Sequence, residues 1–379
     1  MSTTPTATPS DLAGAILSID LTALQANYRE LARKAGAAEC GAAVKGNAYG
    51  LGIGPASRAL WAAGCRTFFV ARAKEGEELR ALFPEAVIYV LDGLVPGQAE
   101  YYAKLDLRPA LIAQDEAREW AGFGRQYGRK LPCALHVDTG INRLGLTMEG
   151  YRSLIADRFL MEGLDVAMVM SHLACADEPG HALNEKQRKR FDEVRSLLPG
   201  VPGSLANSSG IYLGKGYLHD LVRPGISLYG GNPVAPKKNP MKAVAQLEGT
   251  VLQVRHVKKG EAVGYSATWK APRDSVIAIL GAGYKDGVPR HLSSRRADGP
   301  AQAWIAGKRC AIVGRISMDM MAIDVTEVSP SRLHKGMLAE IFGPHIGIDE
   351  TAQWAGTISY EILTRLGSRY ARVYSGRES

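Results

Sequence analysis

Short apolar runs recur along the first two thirds of the chain, each followed by an amphipathic stretch. The runs fall at Ala42–Val44, Thr67–Val70, Val87–Leu91, Arg108–Ile112, Cys133–Val137, Asp165–Met170, Gly203–Ala206 and Leu221–Val222. They are continuously apolar rather than alternating, as expected of strands covered on both faces of a parallel sheet. Between them, Pro55–Ala63, Lys74–Leu82, Gln114–Phe123 and Leu183–Leu198 carry helical periodicity. Ahead of them Asp20 is a plausible cap for a helix ending at Gly36, with Leu21, Leu24, Tyr28 and Leu31 on one face. Eight strand-and-helix units in this length predict a (β/α)8 barrel, with a doubly wound sheet as the competitor.

The pattern changes after Tyr229. Asn232–Pro240 is rich in Pro, Lys and Asn and reads as a linker. Beyond it, Ala243–His256, Val276–Leu280, Ala303–Ile305, Arg309–Val313, Met321–Val325 and Leu338–Ile341 read as strands separated by turns. They predict a mostly β domain, a sandwich or small barrel, with one helix pattern at Ile358–Leu366. The expected organisation is therefore α/β + β. A leader spans 1–12, a (β/α)8 TIM barrel 13–236 and a C-terminal β domain 237–379, with 15–19 a strand that could pack in either domain.

Composition narrows the function classes. The leader is rich in Thr, Pro, Ala and Ser and lacks a signal peptide's charged and apolar regions. No stretch approaches the roughly 18 uncharged apolar residues of a membrane span. Five cysteines without CxxC spacing argue for reduced thiols in a cytoplasmic protein, and against a disulfide frame or a metal site. The net charge of +8 is not gathered into a basic, aromatic-interleaved stripe, so nucleic acid is not an expected partner.

In such a barrel, active groups sit just past the C-terminal ends of the strands. The first strand ends directly in Lys45, in the run KGNAYG (45–50). A lysine desolvated there can be a neutral amine and form a Schiff base, although an isolated βα-loop lysine is more often simply solvated. The last two strands end in Asn207-Ser208-Ser209-Gly210 and Arg223-Pro224-Gly225-Ile226-Ser227, which together suggest a phosphate cup. Two other strand ends carry Asp138–Gly145 and Ser171–Asp177, the latter with His172.

These segments carry a family resemblance. AVKGNAYGLG (43–52), HVDTGINRLG (136–145), MSHLACAD (170–177), NSSG (207–210), RPGISLYG (223–230), GYSATW (264–269), GYKDG (283–287), GRISMDM (314–320) and TISYEILTRLG (357–367) resemble, in order, motifs of the alanine racemase family. That family is dependent on pyridoxal 5'-phosphate. The resemblance implies interconversion of L- and D-alanine, either supplying D-alanine for peptidoglycan or catabolising alanine in a bacterial cytoplasm. It implies Lys45 as the cofactor-bearing lysine and one of two bases. The other is Tyr265, donated by a second subunit of a homodimer with shared active sites.

By the same resemblance, Tyr49, Ser208, Gly225, Ile226 and Tyr360 hold the phosphate, the glycine and isoleucine through their amides. Arg223 faces the pyridine nitrogen, and His172 links it to Tyr265. Arg143 and the partner's Met318 position serve the substrate carboxylate, with Asp319 beside the latter. Tyr284, Arg290, Arg315, Asp177 and Ile358 match an access corridor narrow enough to favour a small side chain. One departure stands out: many members carry a carbamylated lysine seven residues before the Arg143 position, and here that position is His136. An imidazole cannot supply the carbamate's charge, so a chloride or a water is the expected neighbour of Arg143. A non-catalytic pyridoxal phosphate carrier would lack the β domain and Tyr265. A decarboxylase of the same fold type would show a histidine-glycine-serine segment and a glycine-rich phosphate loop, which the sequence does not contain.

Overall fold

The strand Thr67–Val70 illustrates why the barrel forms: all four of its residues are buried, so both faces must be covered. In the computed structural model, which describes residues 14–293 and 299–376, it is the second of seven parallel strands. Their order is Ala42–Ala43, Thr67–Val70, Val87–Val90, Leu107–Leu111, Leu131–His136, Leu164–Met170 and Gly203–Ser204. The eighth, Leu221–Val222, pairs in parallel with Glu39–Cys40, which lies one residue ahead of the first strand. Gly41 separates the two short pieces, and a Cβ there would stand 2.8 Å from the Phe69 ring. The ring closes through Asp220 and Arg223 amides donating to Gly203 and Ala206 carbonyls at 3.0 and 2.9 Å, and through Ala43 donating to Pro224 at 2.9 Å.

The described residues divide into two compact units, Leu24–Leu228 with Asn232–Met241, and 14–23 with Tyr229–Gly231 and the described residues from Lys242 to 376. The leader's residues 1–12 lie outside the described residues. Asp20 Oδ1 accepts the Ala23 amide at 2.9 Å, the helix runs Leu21–Ala35, and Gly36 ends it at φ +68°. Short helices at Ala99–Lys104, Met148–Ala156 and Arg158–Glu162 complete the barrel's covering; their apolar stripes are too brief to show in the periodicity.

In the other unit, Ala245–Val257 pairs with Leu338–Phe342 along one part and with Ser275–Leu280 along the rest, across a register irregularity between Val251 and Gln253. The order Ser275–Leu280, Met321–Asp324, Lys308–Val313, Gln302–Ile305, Leu338–Phe342 then closes back on Ala245–Val257 as a six-stranded ring. Ala15–Asp20 adds antiparallel to that strand, and Ala371–Ser375 adds in parallel to Ala15–Asp20. The helix Ile348–Ala355 was not legible as a pattern, because only one short face of it is buried.

Candidate active site

Lys45 stands at the mouth of the barrel, on backbone of unusual hand. Gly46, Asn47 and Ala48 have φ of 63°, 56° and 53°, and Tyr49 continues at 55°. This is one turn of left-handed helix, which costs a non-glycine residue roughly 1–2 kcal/mol. Gly46 is suited to it, Asn47 tolerates it, and Ala48 and Tyr49 do not favour it. The turn survives because its polar groups are taken up: Ala48 donates to the Val44 carbonyl at 2.8 Å, Gly50 to Gly46 at 2.8 Å, and Ile53 to Asn47 Oδ1 at 2.7 Å. Glu75, absent from the residues singled out by sequence, accepts from the Gly46 and Asn47 amides at 2.6 and 3.3 Å.

The Lys45 side chain is half-buried, and among the described residues its amine has no hydrogen bond or ion pair. Burial and then the neighbouring Arg143 push its pKa below the ordinary lysine value, with Arg223 adding and Asp92 and Glu75 opposing. A lysine so placed is easier to deprotonate, as an imine-forming amine must be.

Arg223 is 5% exposed. Its guanidinium donates to Ser204 Oγ and to the Ser171 and Leu205 carbonyls, all neutral acceptors. Burial pushes it down to about 9, so it is still a cation at neutral pH, and no carboxylate pairs with it among the described residues. His172, half-buried beside it, is held well below the usual imidazole value by burial, then by Arg223, Arg143 and Lys45. Arg143 itself is exposed at the end of a loop wound around one carboxylate. Asp138 Oδ1 accepts the amides of Gly140, Ile141 and Asn142 at 2.8, 3.0 and 3.2 Å, with Asn142 at φ +54°.

His136 is buried, and neither ring nitrogen has a hydrogen-bond partner among the described residues. Burial, then Arg223 and Arg143, push its pKa down to about 4. An unfolded histidine titrates near 6.5, so between those values the unfolded chain binds a proton that the folded chain refuses. Stability contributed by neutral His136 is therefore full above pH 6.5 and drains away as pH falls toward 4. His136→Leu is expected to leave stability near neutrality little changed and to remove about 2 kcal/mol of the loss seen at about pH 5. Urea midpoints of both proteins at the two pH values measure this. His172 titrates in both, so the difference belongs to position 136; equal acid sensitivity would refute the assignment.

Where the end of the eighth strand adjoins the first lies a cradle. Ser208 is buried and its Oγ accepts the amides of Gly225 and Ser227 at 2.9 and 3.3 Å. A Cβ at Gly225 would collide with the Tyr49 hydroxyl. Glycine is thus required for the backbone to approach so closely, and Ile226 follows it as a buried residue. Amides, two hydroxyls and a missing Cβ converge as a phosphate needs. The barrel unit therefore brings together Lys45, Tyr49, His136, Arg143, His172, Ser208, Arg223, Gly225 and Ile226.

Tyr265, Tyr284, Met318, Asp319 and Tyr360 belong to the β unit. Tyr265 is 69% exposed, at the head of a strained loop in which Ser266 and Ala267 have φ of 60° and 46°. Arg315 donates to Ser266 Oγ at 2.9 Å and ties that loop down. The Tyr284 and Met318 loops are stitched together: Tyr284 and Lys285 amides donate to the Ser317 and Met318 carbonyls, both at 3.0 Å. Arg369 bridges them, gripping Asp286 with two nitrogens at 2.7 and 2.9 Å and Asp319 with the third at 2.7 Å. Tyr360 lies on the helix Ser359–Thr364.

Residues 19–233 match the family model described as alanine racemase, N-terminal domain, and residues 244–374 match alanine racemase, C-terminal domain. The chain is 48% identical over 361 residues to an alanine racemase of Methylobacterium nodulans, covering 95% of this chain and 96% of that one. It is 45% identical over 368 residues to an alanine racemase of Rhodospirillum rubrum, covering 97% of each. The fold superposes with a TM-score of 0.90, at 38% identity, on the crystal structure of alanine racemase from Bartonella henselae with covalently bound pyridoxal phosphate, over 96% of this chain and 100% of that one.

Proposed function

The chain belongs to the alanine racemase family, and we propose that it interconverts L-alanine and D-alanine on pyridoxal 5'-phosphate, with Lys45 and Tyr265 as the two bases. The observation that carries this reading is Lys45 on its left-handed turn, its pKa lowered, beside a buried Arg223 that no carboxylate among the described residues neutralises. The cradle at Gly225 fits the cofactor's phosphate: Ser208, the Gly225 and Ile226 amides and Tyr49 would hold it. Bound there, pyridoxal phosphate supplies an electron sink that makes the Cα proton of an attached amino acid acidic.

The protein's residues do the rest. Lys45, as a neutral amine, takes or gives the proton on one face of Cα. Tyr265 acts on the other face and comes from a second copy of the chain. The exposure of Tyr265, Met318, Met320 and Tyr284, unusual for large side chains, supports a homodimer that covers them. Arg143, free of ion pairs among the described residues, pairs with the substrate carboxylate, near Met318 and Asp319 of the second copy. Arg223 offers the pyridine nitrogen a hydrogen bond but no full proton, and this limits how far charge drains from Cα. Its neighbour His172 continues the chain toward Tyr265.

All five cysteines are free thiols, in keeping with a cytoplasmic setting. Among the described residues no helix is long and apolar enough to cross a membrane.

The test is incubation of the cofactor-loaded protein with L-alanine. The expected result is loss of optical rotation to zero without release of carbon dioxide, with rates falling as the side chain lengthens across a panel of L-amino acids. Persistent rotation, or carbon dioxide release, would reject the reading.

A further inference from the structure

Glu75 is the third residue of the helix Ala73–Leu82. That helix follows strand Thr67–Val70, the parallel neighbour of the strand that ends at Lys45. The carboxylate is divided between two strand ends. Oε2 accepts the Ala71 and Arg72 amides at 2.9 and 3.2 Å, which is the ordinary way for a glutamate at this position to close its own helix start. Oε1 reaches across to the Gly46 and Asn47 amides at 2.6 and 3.3 Å, 29 and 28 residues away in sequence. Helix capping does not account for that second pair.

The first N–H groups of any helical turn have no partner within it, and this holds for a left-handed turn too. At Gly46–Tyr49 the need is greater, because Ala48 and Tyr49 sit in a conformation they disfavour, beside Asn47, which tolerates it. An ionised carboxylate is the strongest acceptor available for amides, about twice as strong as a neutral one.

We propose that Glu75 is a positioning residue for Lys45 and Tyr49: by tying the start of the left-handed turn to the neighbouring strand end, it sets where the Lys45 amine and the Tyr49 hydroxyl stand. The inference rests on the reading of Lys45 as cofactor anchor and Tyr49 as phosphate ligand. Glu75 moves no proton, since both oxygens are engaged by amides. Its effect is geometric, and a misplacement of roughly an ångström in a reacting group is worth about 100-fold in rate.

The test uses the holoprotein and three variants. Glu75→Gln keeps the size but turns one oxygen into a donor that faces two amide donors. Glu75→Asp keeps the charge and loses the reach to the Lys45 turn. Asp157→Asn is the control: Asp157 caps the helix Arg158–Glu162 by accepting the Leu160 amide at 3.0 Å and touches nothing at Lys45. Three quantities are measured: cofactor affinity by equilibrium dialysis, the pH midpoint of the visible absorbance of lysine-bound cofactor, and kcat and KM for alanine.

For Glu75→Gln the expected results are about tenfold weaker cofactor binding, a moved absorbance midpoint, and kcat lowered about 10- to 100-fold with KM for alanine nearly unchanged, because Arg143 is untouched. Glu75→Asp should fall between it and the parent, and it decides the matter if the glutamine variant does not fold. The control should match the parent in all three. Parental cofactor affinity and kcat in Glu75→Asp or Glu75→Gln, or an equal loss in Asp157→Asn, would overturn the proposal. Borohydride fixation followed by peptide mapping separates the premise from the inference. If the parent carries its cofactor elsewhere than Lys45, the functional reading fails, whatever Glu75 does.

Discussion

Lys45→Ala is expected to lower alanine racemisation by at least ~10⁴-fold while leaving the fold intact, because one substitution removes both the covalent anchor and a proton-transfer group. The fold should tolerate it for a physical reason. The Lys45 amine makes no hydrogen bond or ion pair among the described residues, and the turn beneath it is held by Glu75, Val44 and Asn47 through backbone amides. The amine also carries a cost. A lysine whose pKa is lower in the folded than in the unfolded state binds its proton more weakly when folded, so at neutral pH it subtracts from stability. Alanine abolishes that penalty. Thermal unfolding of the cofactor-free variant should therefore occur no lower than that of the cofactor-free parent, and borohydride should fix no cofactor to the variant. A large fall in unfolding temperature would mean that Lys45 is part of the framework rather than strained against it.

The same contrast marks how far the site was legible beforehand. Asp20, the continuous apolar strands and Gly225 announce themselves, because a cap, a doubly covered strand and a missing Cβ are local requirements written at single positions. The ordered motifs placed Lys45, Arg143, His172, Ser208 and Arg223 at strand ends, and the structure sets them around one barrel mouth. What could not be read is the hand of the turn after Lys45. Gly46 and Asn47 tolerate the left-handed region but Ala48 and Tyr49 do not favour it, and it is imposed on them by partners elsewhere in the chain, Glu75 foremost. The only trace of Glu75 was an acidic residue near the start of a predicted helix, and that signal points to a cap for its own helix alone. His136 was visible as an exchange of residue, but its neutrality follows from burial among cations, which no spacing reveals. The strain at Ser266 and Ala267, and the Arg369 bridge between two loops, are likewise tertiary in origin.

Tyr265→Phe removes a single oxygen from a side chain that is 69% exposed, so its effect on stability should be small and its effect on catalysis large. Racemisation should fall about 10²- to 10⁴-fold in both directions, the usual worth of a positioned acid or base. The two-base reading makes a sharper demand. With Lys45 intact, the Cα proton on its face can still be removed and returned, so in heavy water one enantiomer of alanine should exchange its Cα hydrogen without inverting, while the other stays protiated. Exchange from both enantiomers, or from neither, would contradict a division of faces between Lys45 and Tyr265. The same variant tests where the tyrosine comes from. Lys45→Ala and Tyr265→Phe are each expected to retain no more than about a hundredth of the parental activity. If every site combines a lysine from one chain with a tyrosine from the other, unfolding and refolding the two variants together produces mixed dimers holding one wholly native site. Random pairing makes half the dimers mixed and half their sites native, so activity should return to about a quarter of the parental value. If lysine and tyrosine are drawn from the same chain, every site in the mixture lacks one base and no activity can return. Recovery to about a quarter, far above the residual activity of either variant alone, therefore reports on the shared site directly.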